Sequence, residues 1–299
     1  MPNSHDYAVV DVFTDTAYRG NPLAVVFDAE GLSTAQMQAI AREFNYSEST
    51  FVLPPASAGH HAQVRIFTPD REIGFAGHPN VGTAIALKAR HEAAGRAVPA
   101  AWLFEEGAGL VRVDLTALPA GGTTALVAAP QPLSRASVVA AAAVARALSL
   151  DTADILTDEH EPQVVSVGLP FVVVALRSRD ALRRAAPNRD GYAALLPLDG
   201  AHSIYAYTRD ADDGTDIQAR MFTGRMTEDP ATGSATAAMA GLRATLSGDT
   251  VSLRVGQGVD MGRASLLLAQ AGHEAGGVRA SVGGEAVLVM SGTLGAPPR

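Results

Sequence analysis

Two stretches of the chain bring together residue types suited to acid-base chemistry on a small molecule. One reads GFAGHPNVGTAIAL over residues 74 to 87, and the other reads EDPATGSATAAMAG over residues 228 to 241. Each reads as the end of a strand running into an alanine-rich helix, in the shared form X-Pro-small-X-Gly-Ser/Thr-Ala, with His78 before one proline and Asp229 before the other. Proline at a first helical position sacrifices no hydrogen bond, since that N–H has no intrahelical partner. Gly82 and Gly233 allow a backbone or a ligand to come close, while Thr83 and Ser234 add hydroxyls beside the first-turn amides. Together with the helix dipole, such a start favours a carboxylate or a phosphate. Two of them on one cleft would bind a small acid.

Each candidate also has a plainer reading. Asp before Pro is a common N-cap, so Asp229 alone does not separate structure from function. His78 is a poorer cap and harder to explain that way. Glu48, in NYSESTF, sits where a helix gives way to a strand. It reads either as a surface carboxylate or, if Phe51 and Leu53 point into a core, as part of a segment that cannot face outward throughout.

The elements that must position these residues follow from periodicity. Strands are expected at 7–14 and 21–28, separated by YRGN. Ser33 with Gln36 forms a capping-box signature, and Met37, Ile40 and Phe44 share one helical face up to about Asn45. STFVLP and QVRIFTP read as strands, followed by a helix to about His91 and strands near 101–116 and 124–129. The order then recurs: GNPLAVVF from Gly20 resembles GLPFVVVA from Gly168, RIFTP from Arg65 resembles RMFTG from Arg220, and HPNVGTA from His78 resembles DPATGSA from Asp229. Three ordered matches about half a chain apart indicate a duplicated unit. The expected domains are 1–130 and 131–299, with QPLSRASVVAAAAVARAL at 131–148 read as helical and the last strand, at 285–294, free to complete either domain. GQGVDMGRAS reads as a tight hairpin, although Gln257 and Arg263 leave a ligand role open.

Composition narrows the chemistry further. The 299 residues are 47% hydrophobic and 18% charged, with a formal net charge of -8. That balance gives no electrostatic support for nucleic acid or an anionic membrane. There is no cysteine, which removes disulfides, thiolate metal sites and any cysteine base. The other histidines lack ligand spacing apart from adjacent His60 and His61, so no metal is expected. With no signal-like start and no apolar run of membrane-spanning length, the expected location is the cytoplasm.

DVFTDTAYRGNPLAVV, NYSESTFV, RIFTPDREIGFAGHPNVGTA, EDPATGSA and GQGVDMGRAS, spread in order from residue 11 to 265, together resemble the PhzF-type isomerases, the phenazine-biosynthesis-like proteins. The resemblance implies an α+β fold of two pseudo-symmetric diaminopimelate epimerase-like domains, each a mixed sheet wrapped round a central helix. It implies a cofactor-independent isomerase of a small carboxylic acid. Glu48 would move the proton in an interdomain cleft, with His78, Asp229 and Ser234 lining the same site and Gly77 and Gly233 offering backbone amides to the substrate carboxylate. It also implies a homodimer. Two alternatives stay open: aligning SESTFVL from Ser47 with AHSIYAY from Ala201 sets His202 against Glu48 as a second base for an epimerase or dehydratase, and a non-catalytic binding protein would keep the same cleft.

Overall fold

The computed structural model describes residues 4–119, 121–211 and 214–298. In chain order the first half contains β1 (Ser4–Val12), β2 (Asn21–Val26), α1 (Thr34–Phe44), β3 (Glu48–Leu53), β4 (Ala62–Phe67), β5 (Glu72–Ile73), α2 (Gly77–Ala93), β6 (Ala101–Glu106), β7 (Gly109–Ala117) and β8 (Thr123–Ala128). The second contains β9 (Ser134–Val138), α3 (Ala141–Ala147), β10 (Gln163–Ser166), β11 (Pro170–Ala175), α4 (Arg179–Arg184), α5 (Arg189–Leu195), β12 (Ile204–Thr208), β13 (Ile217–Phe222), β14 (Glu228–Asp229) and α6 (Gly233–Ser247). It continues with β15 (Val251–Gln257), β16 (Ser265–Glu274), β17 (Gly277–Gly284) and β18 (Ala286–Gly295). The chain divides into two compact units, one of Met1–Pro130 with Gly283–Arg299 and one of Gln131–Val282.

In the first unit, β18, β1, β2, β3, β4, β6, β7 and β8 pair successively, with β2–β3 and β4–β6 parallel and the other pairs antiparallel. The sheet packs on α2, which touches β1, β2, β3, β7, β8 and β18. Strands can approach α2 from several sides because its N-terminal half is mostly small: Gly77, Gly82, Thr83 and Ala84 are all buried. α1 lies against β3 and β4 and buries Met37, Ile40 and Ala41. Its Ser33–Gln36 capping box is formed, and Asn45 ends it in the left-handed conformation.

The second unit repeats this plan. The order β9, β10, β11, β12, β13, β15, β16 has parallel pairs at β11–β12 and β13–β15 and antiparallel pairs elsewhere, matching the first unit step for step. Here α6 is the central helix, in contact with β10, β11, β15 and β16. Two short helices, α4 and α5, stand where the first unit has α1.

The structure departs from the periodicity reading in particular places. Residues 134–138 form a strand, not a helix, and the helix follows at Ala141–Ala147. The β-branched and polar residues of SRASV pair with β10, and the alanine run begins only afterwards. The last strand, left open by the sequence between the two domains, pairs as β18 with β1 and so completes the first unit. Among the described residues, no helix is long and apolar enough to cross a membrane.

Candidate active site

In the first unit the two chemically capable side chains meet. Glu48 opens β3 beside Leu23 of β2, and His78 is the second residue of α2. His78 Nδ1 lies 3.4 Å from Glu48 Oε2. Burial holds the imidazole far below its usual value, at about 3, so the ring is neutral at physiological pH. The contact is therefore a neutral imidazole beside a carboxyl group, long for a hydrogen bond, and not an ion pair. His78 Nε2 is buried with no hydrogen-bond partner.

The first turn of α2 has no side-chain cap, and α3 and α6 share that feature. Helices α1, α4 and α5 are each capped by a side chain, from Ser33, Ser178 and Asn188. The N-caps of α2 and α6, Ala76 and Thr232, make no side-chain cap to the helix. Gly77 and Gly233, the first residues of the two central helices, thus have N–H groups with no intrahelical partner and no cap from the preceding side chain.

Thr83 plays a different part from the one its sequence context suggests. It is fully buried, and its hydroxyl meets that of Thr50 at 2.9 Å. The group expected to face a ligand is engaged inside the unit, where it ties β3 to α2.

In the second unit Asp229 ends β14, opposite Met221. Its Oδ2 accepts from the Thr232 hydroxyl at 2.5 Å. Gln257, fully buried, holds the same segment: its amide nitrogen donates to the Asp229 carbonyl at 2.9 Å and to Thr232 Oγ1 at 3.0 Å, and its oxygen accepts from the Thr232 N–H at 3.1 Å. Ser234 is the second residue of α6, half-buried, and follows Gly233. Gln257 is the last residue of β15 before the turn into β16, and the Arg263 N–H closes that turn on Gly258. This is the hairpin read from the sequence, with a buried positioning role for Gln257 added to it.

Strand register corrects two of the sequence alignments. Phe51 faces Arg65 across β3–β4, and Ala206 faces Arg220 across β12–β13. Because Arg65 and Arg220 are equivalent, Glu48 corresponds to Ser203, and the exposed His202 lies one position earlier. The helix starts are likewise shifted. Gly77 and Gly233 each open a helix, so His78 corresponds to Ser234, whereas Asp229 lies in a strand and corresponds to Ile73. Pro79 is inside α2, while Pro230 precedes the N-cap of α6; the two Pro-containing motifs look alike but sit at different places.

Two ion pairs were not anticipated. Arg65 grips Glu72 through two hydrogen bonds, and Arg220 grips Glu228 in the same way, so each arginine staples the short strand that leads into a central helix. The signal was present in the sequence, as an Arg followed by a Glu at nearly the same distance in both halves. Among the described residues, no group of three or more His, Asp or Glu side chains could hold a metal ion.

Comparison with known proteins agrees with this architecture. Residues 10–292 match the family described as phenazine biosynthesis-like protein. The chain is 37% identical to an uncharacterized isomerase of Mesorhizobium japonicum, over 97% of this chain and 99% of that one. It is 36% identical, with the same coverage, to trans-2,3-dihydro-3-hydroxyanthranilate isomerase of Pseudomonas fluorescens. Among solved structures, a PhzF-family phenazine biosynthesis protein of Bacillus anthracis superposes with a TM-score of 0.88 at 24% identity, covering 97% of this chain and 99% of that one. A hydroxyproline epimerase of Agrobacterium vitis, at 12% identity and a TM-score of 0.60 over 98% of this chain and 91% of that one, shares the fold alone.

Proposed function

The chain belongs to the phenazine biosynthesis-like, or PhzF, family of isomerases, and from that premise we propose that it moves a proton within a small unsaturated carboxylic acid. Glu48 is the general acid and base, and neither a metal nor an organic cofactor takes part. The observation that carries this reading is the contact between Glu48 and a buried, neutral His78 at the uncapped start of α2.

The step balances without an oxidant. The Glu48 carboxylate removes a proton from an allylic C–H, the electron pair shifts along the conjugated system, and the same proton or one from solvent returns to a carbon further along. His78, as a neutral donor, holds the glutamate or a polar substrate group in place. The backbone amide of Gly77, at the start of α2, binds the substrate carboxylate.

Support for one base comes from the duplication. A reaction that inverts a centre needs an acid and a base on opposite faces, whereas Glu48 has Ser203 as its counterpart, a residue that is no base near neutral pH. The relative from Pseudomonas fluorescens is named for trans-2,3-dihydro-3-hydroxyanthranilate, and that hydroxylated cyclic acid represents the substrate class proposed here. A homodimer is also proposed, and the half-exposed Leu288 and Met290 of β18 are apolar surface that a second copy would cover. Light scattering of the purified protein tests it.

The functional test is proton NMR in deuterium oxide with a panel of small unsaturated acids. Wild type is expected to isomerise one of them with solvent deuterium incorporated, and Glu48→Gln to leave it unchanged. Equal rates in the two proteins would remove Glu48 from the mechanism.

A further inference from the structure

The duplication assigns a partner to Gln257. Across β13–β15 the register sets Ile217 beside Val255 and Ala219 beside Gln257; across β4–β6 it sets Ala62 beside Phe104 and Gln63 beside Glu105. With Arg65 equivalent to Arg220, Ala62 is equivalent to Ile217 and Glu106 to Gln257. The following residues agree independently. A Cβ on Gly107 would stand 3.0 Å from the Cα of Gly74, and one on Gly258 would stand 2.5 Å from the carbonyl of Pro230, so each strand end abuts the segment leading into its central helix.

At the α6 start the Gln257 amide both donates and accepts. At the α2 start the corresponding side chain is a carboxyl group, with Asn80 of the first turn beside it. Both Glu106 oxygens and Asn80 Oδ1 are buried without a hydrogen-bond partner. Asn80 donates its amide to the carbonyl of Ala76, the N-cap that has no capping side chain of its own. An ionised carboxylate offers acceptors only, and this cluster already has acceptors to spare. One proton on Glu106 supplies the missing donor to Asn80 Oδ1 and removes a buried charge.

We infer that Glu106 is held as a neutral carboxylic acid whose hydrogen bonding to Asn80 positions the first turn of α2, the part that the Gln257 amide plays at α6. The inference rests on the reading of that turn, with His78, as part of the active site. It makes Glu106 a positioning residue, one that touches no substrate. Burial raises its carboxyl to about 8. Of the titratable groups nearby, His78 on α2 is neutral, and the adjacent Glu105 is held low by the Ala56 N–H and then by His60. Ionisation of Glu106 above its raised value would then loosen the α2 start and lower activity on the alkaline side.

The test compares wild type, Glu106→Gln and Glu106→Leu. Gln, the isostere of the neutral acid, is expected to rescue activity at pH 7, while Leu loses roughly tenfold or more through displacement of the turn. The alkaline decline of wild type, with its midpoint near 8, is expected to be absent in Glu106→Gln. Loss of activity in the Gln variant as large as in Leu, or the same alkaline decline in Gln as in wild type, would overturn the inference. An activity-independent readout separates it from the functional reading: the carbon NMR resonance of the Glu106 carboxyl should titrate near 8 and not near the ordinary glutamate value of 4.5. If Glu48→Gln proved fully active while Glu106 still titrated near 8, the active-site assignment would fall and the neutral acid would stand. Titration near 4.5 would overturn the neutral acid whatever the activity.

Discussion

The hydroxyls of Thr50 and Thr83 meet at 2.9 Å inside the first unit, and both residues are fully buried. Thr50 lies two positions after Glu48 on β3 and so shares its strand face. Thr83 lies on α2 beyond His78. The bond therefore sets the separation between the strand that carries the carboxylate and the helix that carries the imidazole. Thr50→Val leaves the Thr83 hydroxyl buried and unpaired, with an expected loss of about 1–3 kcal/mol. The double variant Thr50→Val/Thr83→Val should recover part of it in urea unfolding.

His78 makes the stability pH-dependent in a defined direction. Its value falls from 6.5 to about 3 on burial, so the unfolded chain binds the extra proton between those limits. The stability associated with a neutral His78 is fully present above about 6.5 and is lost as pH falls toward 3, by up to about 1.4 kcal/mol per pH unit. His78→Gln removes that dependence. Chemical denaturation of both proteins between pH 4 and pH 7 checks it: the difference between them should change across this range, and parallel curves would contradict it.

The two arginine staples are equivalent in place but not in burial. The Arg220 and Glu228 side chains are each 12% exposed, and Arg220 also donates to the carbonyls of Leu182, Arg183 and Ala185. Arg65 and Glu72 are 23% and 39% exposed. Arg220→Leu strands a nearly buried carboxylate and should destabilise by about 3–5 kcal/mol. Arg65→Leu should cost about 1 kcal/mol or less. Thermal unfolding of the two variants side by side gives the ranking.

Gln257→Leu removes three hydrogen bonds that hold Asp229 and Thr232 while keeping the volume of the side chain. If Asp229 binds substrate, the variant should lose activity mainly through a raised KM. Steady-state kinetics beside Asp229→Asn tests this: a Gln257→Leu variant with unchanged KM, against an Asp229→Asn variant that is impaired, would confine Gln257 to a structural role.

Much of the architecture was legible because duplication leaves paired signals. The matched Arg-X-Phe-Thr strands and the two alanine-rich helices are visible in the linear text, and the structure builds equivalent strand pairs and central helices from them. What was not legible is register. His-Pro and Asp-Pro look interchangeable until strand pairing shows one proline inside its helix and the other ahead of it, and His202 misses the place of Glu48 by one residue, enough to turn a strand side chain to the other face. Residues 134–138 were misread because an alanine-rich run follows without a break, and the backbone bonding to β10 decides the outcome. Thr83 and Glu106 were obscured for a different reason: the chemistry of a hydroxyl or a carboxyl depends on what lies against it, and sequence spacing does not report that.

The return of β18 to β1 gives the chain an order of assembly. The second unit is one continuous segment, Gln131–Val282, complete as soon as that segment is made. The first unit holds the opening residues, yet β1 has one open side until Ala286–Gly295 has been synthesised. On the ribosome the earlier-made unit is therefore the later one to close, and throughout elongation β1 presents an edge able to pair with other nascent chains. A chaperone that shields this edge, or a slow tract of translation ahead of the last strand, would act on yield without touching the finished protein.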